Sequence, residues 1–316
     1  MSHGSSIRME RYEPSYKTSW DEFVRQSKNG VFLFHRDYVE YHADRFEDFS
    51  LLILENDQLI ALMPANRVND TVESHGGLTF GGIISDSRMT AGRMLHVFSA
   101  LSDDLRARGI KRLIYKAIPH IYHRLPAEED LYALFMHNAR LFRRDISSTI
   151  ATGQRLPLAK NRKNPARLTQ KHGLKVVRSE NLSEFMAIAE ANLESRHGSR
   201  PIHTVTEMQH LANRFPENIK LFAAIFDGEM LGGVIIYESA NVAHAQYIGT
   251  TPKGRTLGAL DAIMNALLNE VYCEKPFFDF GISTVDNGRS LNLGLIRNKE
   301  SYGARATVHD FYELDL

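Results

Sequence analysis

The sequence has little cysteine, no long apolar run and no excess of either charge. Its single cysteine, Cys273, excludes an internal disulfide and is typical of a reducing compartment. The position of Cys273 within an apolar run predicts a buried, unreactive thiol. No segment approaches the run of about 20 apolar residues that spans a bilayer, and the N-terminus lacks the apolar core of a signal peptide. These absences predict a cytoplasmic protein that does not bind a membrane.

The charges are balanced over the whole chain. Lys and Arg together number 38, as do Asp and Glu, so the formal net charge is zero. Proteins that bind nucleic acid over a broad surface are usually basic, so nucleic acid is an improbable general partner. The 316 residues, of which 43% are hydrophobic, suffice for two packed domains. Any site for an anion must therefore be local.

The common nucleotide-binding motifs are missing from the most suggestive loop of the chain. The segment "QYIGTTPKGRTLGALDAIMNALL", residues 246–268, predicts a strand, a glycine-containing loop and a helix. Neither the Walker pattern nor the dinucleotide fingerprint G-x-G-x-x-G is present. A strand-to-helix junction still directs backbone N–H groups toward a ligand at the positive end of the helix dipole, which suits a phosphate or pyrophosphate.

The two halves of the chain repeat one order of predicted elements. Each half contains a hairpin, "LLILENDQLIALMPANR" and "LFAAIFDGEMLGGVIIYES", then a helix and a final strand, "RLIYKAIP" and "PFFDFGIS". An old internal duplication would leave this order with little identity. Many α/β domains also alternate elements in this way, so chance alternation is the competing explanation.

A basic segment joins the halves. From Ile146 to Ser179 there is no acidic residue. Lys163 and Arg167 are four residues apart in a predicted helix and therefore share one face. This face either binds a substrate anion or is an ordinary solvated linker surface.

The loop in residues 246–268 resembles that of the GNAT acyltransferases. Its "RTLGAL" approaches the pattern R-x-x-G-x-G/A, although Leu260 departs from it. In that superfamily the loop cradles the pyrophosphate of coenzyme A. The resemblance implies a coenzyme A site at Lys253, Gly254, Arg255, Thr256 and Gly258.

A wider resemblance is to the Fem-like branch, in which two GNAT-like domains are in tandem. It is carried by "SWDEFVRQSKNGVFLF", "ESRHGSRP" and "FFDFGISTVDNGRSLNLGLIRNKESYGA", the last of which is similar to the family's Asp-x-Gly and "FKxxFG" elements. Asn298 replaces the first aromatic residue of that element. The resemblance implies an α/β protein with mixed sheets and a cleft between domains 7–155 and 156–316, the second of which binds the acyl donor.

The same resemblance implies an N-acyltransferase. The expected donor is an acyl-CoA, and the expected acceptor is the amine of a dTDP-linked amino-deoxy sugar for surface polysaccharide. The first alternative is a Fem-type transferase that uses aminoacyl-tRNA to modify peptidoglycan precursors or proteins, and only this reading requires tRNA. The third is a non-catalytic module that binds acyl-CoA. None of the three needs a metal.

Acyl transfer to an amine needs a base for the amine proton and a donor for the oxyanion. Asp279 lies between two phenylalanines of a strand, so it points to the face opposite their rings, as a base or as a partnered structural acid. His197 and His203 are the other candidate bases. By resemblance, Lys299 either orients an anionic part of the substrate or stabilises charge in the transition state, and Tyr302, at the second aromatic position of the "FKxxFG" element, is a further catalytic candidate. The resemblance also implies the backbone of Tyr247, Ile248 and Gly249 for the oxyanion, and Arg196, His197 and Arg200 for the acceptor.

Overall fold

The structure is a computed structural model that describes residues 7–162, 173–197 and 200–316. The chain forms two compact units: the first contains the described residues of Met1–Asp145 with Val285–Ser290 and Val308–Leu316, and the second contains those of Ile146–Thr284 with Leu291–Thr307. The domain boundary predicted between residues 155 and 156 stays a prediction. The C-terminal strand joins the first unit because Phe311 pairs in register with Lys116.

The first unit contains four helices and two groups of strands in the described residues. The helices are α1 (Lys17–Gln26), α2 (Arg36–Val39), α3 (Ala91–Ala107) and α4 (Glu129–Met136). The strands are β1 (Ile7–Arg11), β2 (Glu47–Asp48), β3 (Leu51–Glu55), β4 (Gln58–Met63), β5 (Asn66–Val68), β6 (Thr71–Glu73), β7 (Ile84–Ser85) and β8 (Arg112–Lys116).

Local sequence signals account for these elements. The predicted hairpin forms between β3 and β4, and Asn56 and Asp57 at its turn have positive φ angles of 50° and 65°, as a two-residue hairpin turn requires. Thr90 caps α3 by accepting the backbone N–H of Arg93. The apolar face of α3 then packs into the core of this unit.

The second unit is built on a mixed sheet with order β10-β11-β12-β13-β14-β9. Its strands are residues 146–151 of β9 (Arg140–Ala151), β10 (Lys175–Ser179), β11 (Ile219–Phe226), β12 (Glu229–Glu238), β13 (Val242–Thr250) and β14 (Phe277–Ile282). Its helices are α5 (Leu182–His197), α6 (Val205–Arg214), α7 (Pro252–Leu257), α8 (Ala259–Ala266) and α9 (Leu293–Glu300). The remaining strands of the chain are β15 (Thr284–Val285), β16 (Ser290–Leu291) and β17 (Arg305–Asp315).

The helix predicted after β13 is interrupted. Gly258 has a left-handed φ of 75° and separates α7 from α8, and a π-helical turn follows at Leu267–Val271. A left-handed residue ends the helical path, which glycine does without a Cβ clash. The single helix expected from the apolar spacing is therefore wrong in continuity, although its apolar residues do face the core.

Cys273 corrects a second expectation. The thiol is exposed, because the residue lies beyond the π-helical turn and not within a buried helix. In the part of the chain that the structure describes, no helix is both long and apolar enough to cross a membrane.

Candidate functional site

A histidine and an aspartate face each other across the two parallel strands of the second unit. His244 of β13 is in register with Asp279 of β14. His244 Nδ1 lies 2.7 Å from Asp279 Oδ2, so the ring donates Nδ1–H to the carboxylate. His244 Nε2 has no hydrogen-bond partner among the described residues. The arrangement leaves Nε2 as an unprotonated acceptor that is held in a fixed orientation.

Asp279 itself is completely buried and heavily hydrogen-bonded. Its Oδ1 accepts the hydroxyls of Ser147 and Thr149 from β9, the latter at 2.9 Å, and its Oδ2 also accepts the N–H of Gly281 at 3.3 Å. These donors stabilise the ionised carboxylate. The predicted orientation is confirmed, since the flanking Phe278 and Phe280 pack into the core cluster on the opposite face. Asp279 therefore orients His244 and has no oxygen left for direct proton transfer from a substrate.

The chain just after Asp279 turns away from β13. Gly281 has a φ of 75°, and a Cβ there would lie 3.3 Å from His244 Cε1. Lys299 holds this turn by donating Nζ to the carbonyls of Gly281 at 2.7 Å and Ile282 at 2.8 Å. Burial lowers the pKa of Lys299 to about 8, and the charge of Asp279 opposes that shift. In the structure Lys299 thus supports the backbone beside the His244–Asp279 pair.

Beyond His244 the edge of β13 is open. The registered pairing with β14 covers only Val242 to His244. The Thr251 N–H donates to the Leu231 carbonyl of β12 at 2.9 Å. Along an antiparallel pair, residues that hydrogen-bond to the partner strand alternate with residues whose N–H and C=O face away from it. Thr250 and Ile248 therefore direct their N–H and C=O away from β12. The N–H and C=O groups of Tyr247 and Gly249 point toward β12. Of the three predicted oxyanion donors, Ile248 is therefore the one that faces the open edge, and it has no partner among the described residues.

The polar groups of the predicted coenzyme A loop have partners within the chain. Thr251 Oγ1 accepts the N–H of Gly254 at 2.9 Å, and Lys253 Nζ lies 2.6 Å from Glu229. Thr256 Oγ1 donates to the carbonyl of Pro252 at 3.3 Å. A Cβ on Gly254 would lie 2.1 Å from the Leu231 carbonyl oxygen. That glycine is therefore required by close packing on β12, without any ligand.

The first turn of α8 also carries a carboxylate. Asp261 is held there by Arg162 and by Tyr302, whose hydroxyl lies 2.8 Å from Asp261 Oδ1. Burial raises the pKa of Tyr302, and its ring stacks on Phe280 with centroids 5.5 Å apart. Tyr302 is consequently part of a buried network that fixes α8. A carboxylate at a helix start opposes an anion, but Arg162 offsets the charge of Asp261. The coenzyme A site at this loop therefore stays a prediction.

His203 is engaged by a tyrosine of β13. The phenol oxygen of Tyr247 accepts the backbone N–H of His203 at 3.3 Å and lies 2.7 Å from His203 Nδ1. The Nδ1 atom of His203 is therefore engaged by this phenol. Burial raises the pKa of Tyr247. His203 as a catalytic base stays a prediction that this contact does not favour.

Of the five predicted substrate-binding residues, Arg200 is the one whose side chain the structure describes. Arg200 is exposed, and its Nε lies 3.3 Å from Glu190. Arg196 and His197 end α5, and their side chains lie outside the description. Lys163 and Arg167 lie outside the described residues altogether. These five assignments stay predictions. Among the described residues, no group of three or more His, Cys, Asp or Glu has a geometry that could hold a metal ion.

His244 is the site residue that sequence reasoning missed. A signal was present: "AHAQ" places a histidine among small residues in a predicted strand, just as "FDFG" places an acid in the next. What the sequence did not give was the register, because a shift of one residue in strand pairing would turn His244 away from Asp279.

Part of the chain matches a known domain family. Residues 159–290 match the family model described as an acetyltransferase (GNAT) domain, a range that includes His244, Asp279 and the open edge. A comparison with curated proteins finds no match.

Solved structures extend the likeness to nearly the whole chain. FemX has a TM-score of 0.70 at 10% identity, covering 98% of this chain and 97% of FemX. L-PGS from Bacillus licheniformis has a TM-score of 0.63 at 12% identity, covering 96% and 92%. A conserved protein of unknown function from Bacteroides thetaiotaomicron has a TM-score of 0.61 at 10% identity, covering 98% and 100%.

These matches confirm the resemblance to the GNAT superfamily and its Fem-like branch. The mixed α/β class and the tandem GNAT-like fold are likewise confirmed. The chain has a GNAT acyltransferase fold.

Proposed function

We propose that the protein transfers an acyl group to an amine with His244 as the general base. The observation that carries this proposal is the unpartnered Nε2 of His244, whose Nδ1 is fixed by the buried Asp279. A neutral imidazole whose Nδ1–H is held by a carboxylate can accept a proton at Nε2. His244 is the last residue of β13 that is in register with β14, and the proposal puts the reacting carbonyl beyond it, along the open edge of β13.

The transfer can be written with the residues of this site. The neutral amine of the acceptor attacks the donor carbonyl while His244 Nε2 takes its proton. The Ile248 N–H stabilises the resulting oxyanion. As the intermediate collapses, the bond from carbonyl carbon to leaving group breaks, and the imidazolium returns its proton to the leaving group. Asp279 stays ionised throughout and stabilises the imidazolium.

For the donor, the comparisons favour the Fem-type reading over a nucleotide-sugar acyltransferase. FemX shares this fold over nearly the whole of both chains, and members of the Fem-like branch take amino acids from aminoacyl-tRNA. The contacts of Lys253 Nζ with Glu229 and of the Gly254 N–H with Thr251 occupy two groups that coenzyme A would use, which supports the same choice. We therefore propose an aminoacyl ester as donor. The dTDP-sugar acceptor has no support from the comparisons and stays a prediction.

An acyl-CoA donor is the second candidate, because the matched family model is that of an acetyltransferase domain. The two donors differ in their leaving groups: an aminoacyl ester releases an alcohol, and a thioester releases a thiol.

The test uses both donor classes with hydroxylamine as a generic amine acceptor. Bulk aminoacyl-tRNA is assayed for loss of the aminoacyl group, and a panel of acyl-CoAs is assayed for thiol release. The proposal expects aminoacyl transfer that falls at least a hundredfold in His244→Gln, within the usual contribution of a general base. Thiol release dependent on His244 would select the second candidate. Transfer that is equal in the wild type and in His244→Gln would remove His244 from the mechanism.

A further inference from the structure

The pairing of β12 with β13 has a bulge at Gln246, between the registered residues Ala245 and Tyr247. Beyond this bulge, the residues of β13 that face away from β12 are Ile248 and Thr250. Thr250 is already paired: its carbonyl accepts Asn192 Nδ2 at 2.9 Å, and its N–H donates to Asn192 Oδ1 at 3.3 Å. The side-chain amide of Asn192 thereby occupies the place that a neighbouring strand would take.

The position of Asn192 is fixed from several sides. Its Nδ2 also donates to the carbonyl of Ile188, one turn earlier in α5, at 2.9 Å. Helix α5 comes close to β13 because Gly249 has no side chain, and a Cβ there would lie 3.2 Å from Ala189 Cα. Arg255 Nη1 donates to the Thr250 carbonyl at 3.2 Å, so that oxygen accepts two hydrogen bonds.

The hydrogen bonds between Asn192 and Thr250 restrict which acyl donors can bind along β13. The pantetheine arm of coenzyme A carries two secondary amides in an extended chain. An extended ligand with amides binds a strand edge through successive outward-facing residues, about 7 Å apart along the strand. With Thr250 occupied, β13 offers such an arm only Ile248. An acyl ester whose leaving group approaches from the His244 side needs no more than that one residue.

We propose that Asn192 determines donor specificity by closing the edge of β13 to the pantetheine arm of coenzyme A. The inference rests on the proposed function, in which the acyl group reacts beside His244. It goes further by assigning the choice between a thioester and an ester donor to one side chain that does not touch the reacting atoms.

The test measures the binding of coenzyme A itself by calorimetry, so that it does not depend on turnover. We expect little binding to the wild type and an affinity at least tenfold higher for Asn192→Ala. Asn218→Ala is the matched control, because Asn218 Nδ2 also donates to a strand carbonyl, that of Glu238 at 2.7 Å, on the other side of β12. Its affinity for coenzyme A should equal that of the wild type.

Amide hydrogen exchange provides a second readout. The Thr250 N–H should exchange faster in Asn192→Ala than in the wild type, and addition of coenzyme A should restore its protection. Equal affinities for coenzyme A in the wild type and in Asn192→Ala, whether tight or undetectable, would overturn the specificity role. The proposed function is tested separately, because its failure appears in the activity of His244→Gln and not in the binding of coenzyme A to Asn192→Ala.

Discussion

The two units contain the same pair of central parallel strands with different residues at the matching positions. In the first unit β6 and β8 are registered over three pairs that end at Glu73 and Ile114, and in the second β13 and β14 are registered over three pairs that end at His244 and Asp279. One strand pair thus presents a carboxylate beside an aliphatic side chain, and the other a histidine held by an acid. The comparison indicates that the same pairing of parallel strands can carry either set of side chains.

The gap beyond each strand pair differs as well. In the first unit Ser74 N–H donates to the Ile114 carbonyl at 2.9 Å, and Ser74 Oγ accepts the N–H of Lys116 at 2.8 Å. Lys116 Nζ then donates to three carbonyls of the following loop, at His75, Gly76 and Leu78. The first unit therefore closes its strand gap with its own side chains, and the second leaves Ile248 open.

The largest effect on kcat is expected from a comparison of substitutions at His244 and at Glu73, the matching positions of the two units. His244→Ala should lower kcat by about 10²–10⁴-fold, because the amine loses its base. Glu73→Gln, at the matching position of the first unit, should leave kcat within about twofold of the wild type, as expected for a residue outside the reacting site. Steady-state kinetics with the better donor measures both. Equal losses in the two variants would mean that the difference between the units is not catalytic.

Loss of the Asp279 carboxylate should lower kcat less than loss of the His244 imidazole that it orients. We expect Asp279→Asn to lower kcat by about 10–100-fold with little change in KM, through loss of the fixed tautomer and of imidazolium stabilisation. Because an amide at position 279 also alters the contacts with the buried donors, Thr149→Val serves as a milder variant that removes one hydrogen bond of 2.9 Å. Circular dichroism checks the fold of each variant. Full activity in a folded Asp279→Asn protein would show that the aspartate is only structural.

Two glycines allow backbone strain to be separated from site geometry. Gly281 and Gly109 have nearly the same left-handed φ, 75° and 77°, but a Cβ at Gly109 would meet nothing within 4 Å. Alanine at either position should cost about 1 kcal/mol of unfolding free energy. Gly281→Ala should also reduce kcat several-fold, because its Cβ would press on His244 Cε1 at 3.3 Å. If Gly281→Ala and Gly109→Ala lost unequal amounts of stability but had equal kcat, the contact of Gly281 with His244 would not matter for catalysis.

The smallest expected effect concerns the response of the first unit to acid. Burial, together with the charge of His42, lowers the pKa of His75 to about 3. The unfolded chain therefore binds a proton that the folded chain does not, and stability falls as pH decreases from about 6.5 toward 3. Burial raises the pKa of Asp130 to about 6, which offsets part of this loss.

Trp20, the single tryptophan, is buried in the first unit and reports its unfolding by fluorescence. We expect His75→Asn to reduce the loss of unfolding free energy between pH 7 and pH 4 by about 3 kcal/mol at most. Asparagine keeps an acceptor where His75 Nδ1 accepts the N–H of Gly77. An unchanged pH dependence in this variant would remove His75 as the cause.

The sequence by itself determined the order of elements and the chemistry available in each. Alternating apolar residues and turn signals predicted the hairpins about Asn56 and Asp227, because hairpin turns of two residues require backbone angles that few residue types adopt. Alternation likewise predicted that Asp279 faces away from its flanking phenylalanines. These signals are local, so one sequence suffices to read them.

The tertiary structure decided which of these groups meet. His244 and Asp279 are 35 residues apart, and their contact depends on the register of two parallel strands joined by α7 and α8. Asn192 reaches Thr250 from another helix, 58 residues away in the chain. Register and helix packing are set by the burial of the whole core, to which many residues contribute a little each. For this reason the acid was visible in the sequence, while its histidine and the cap on the strand edge were not.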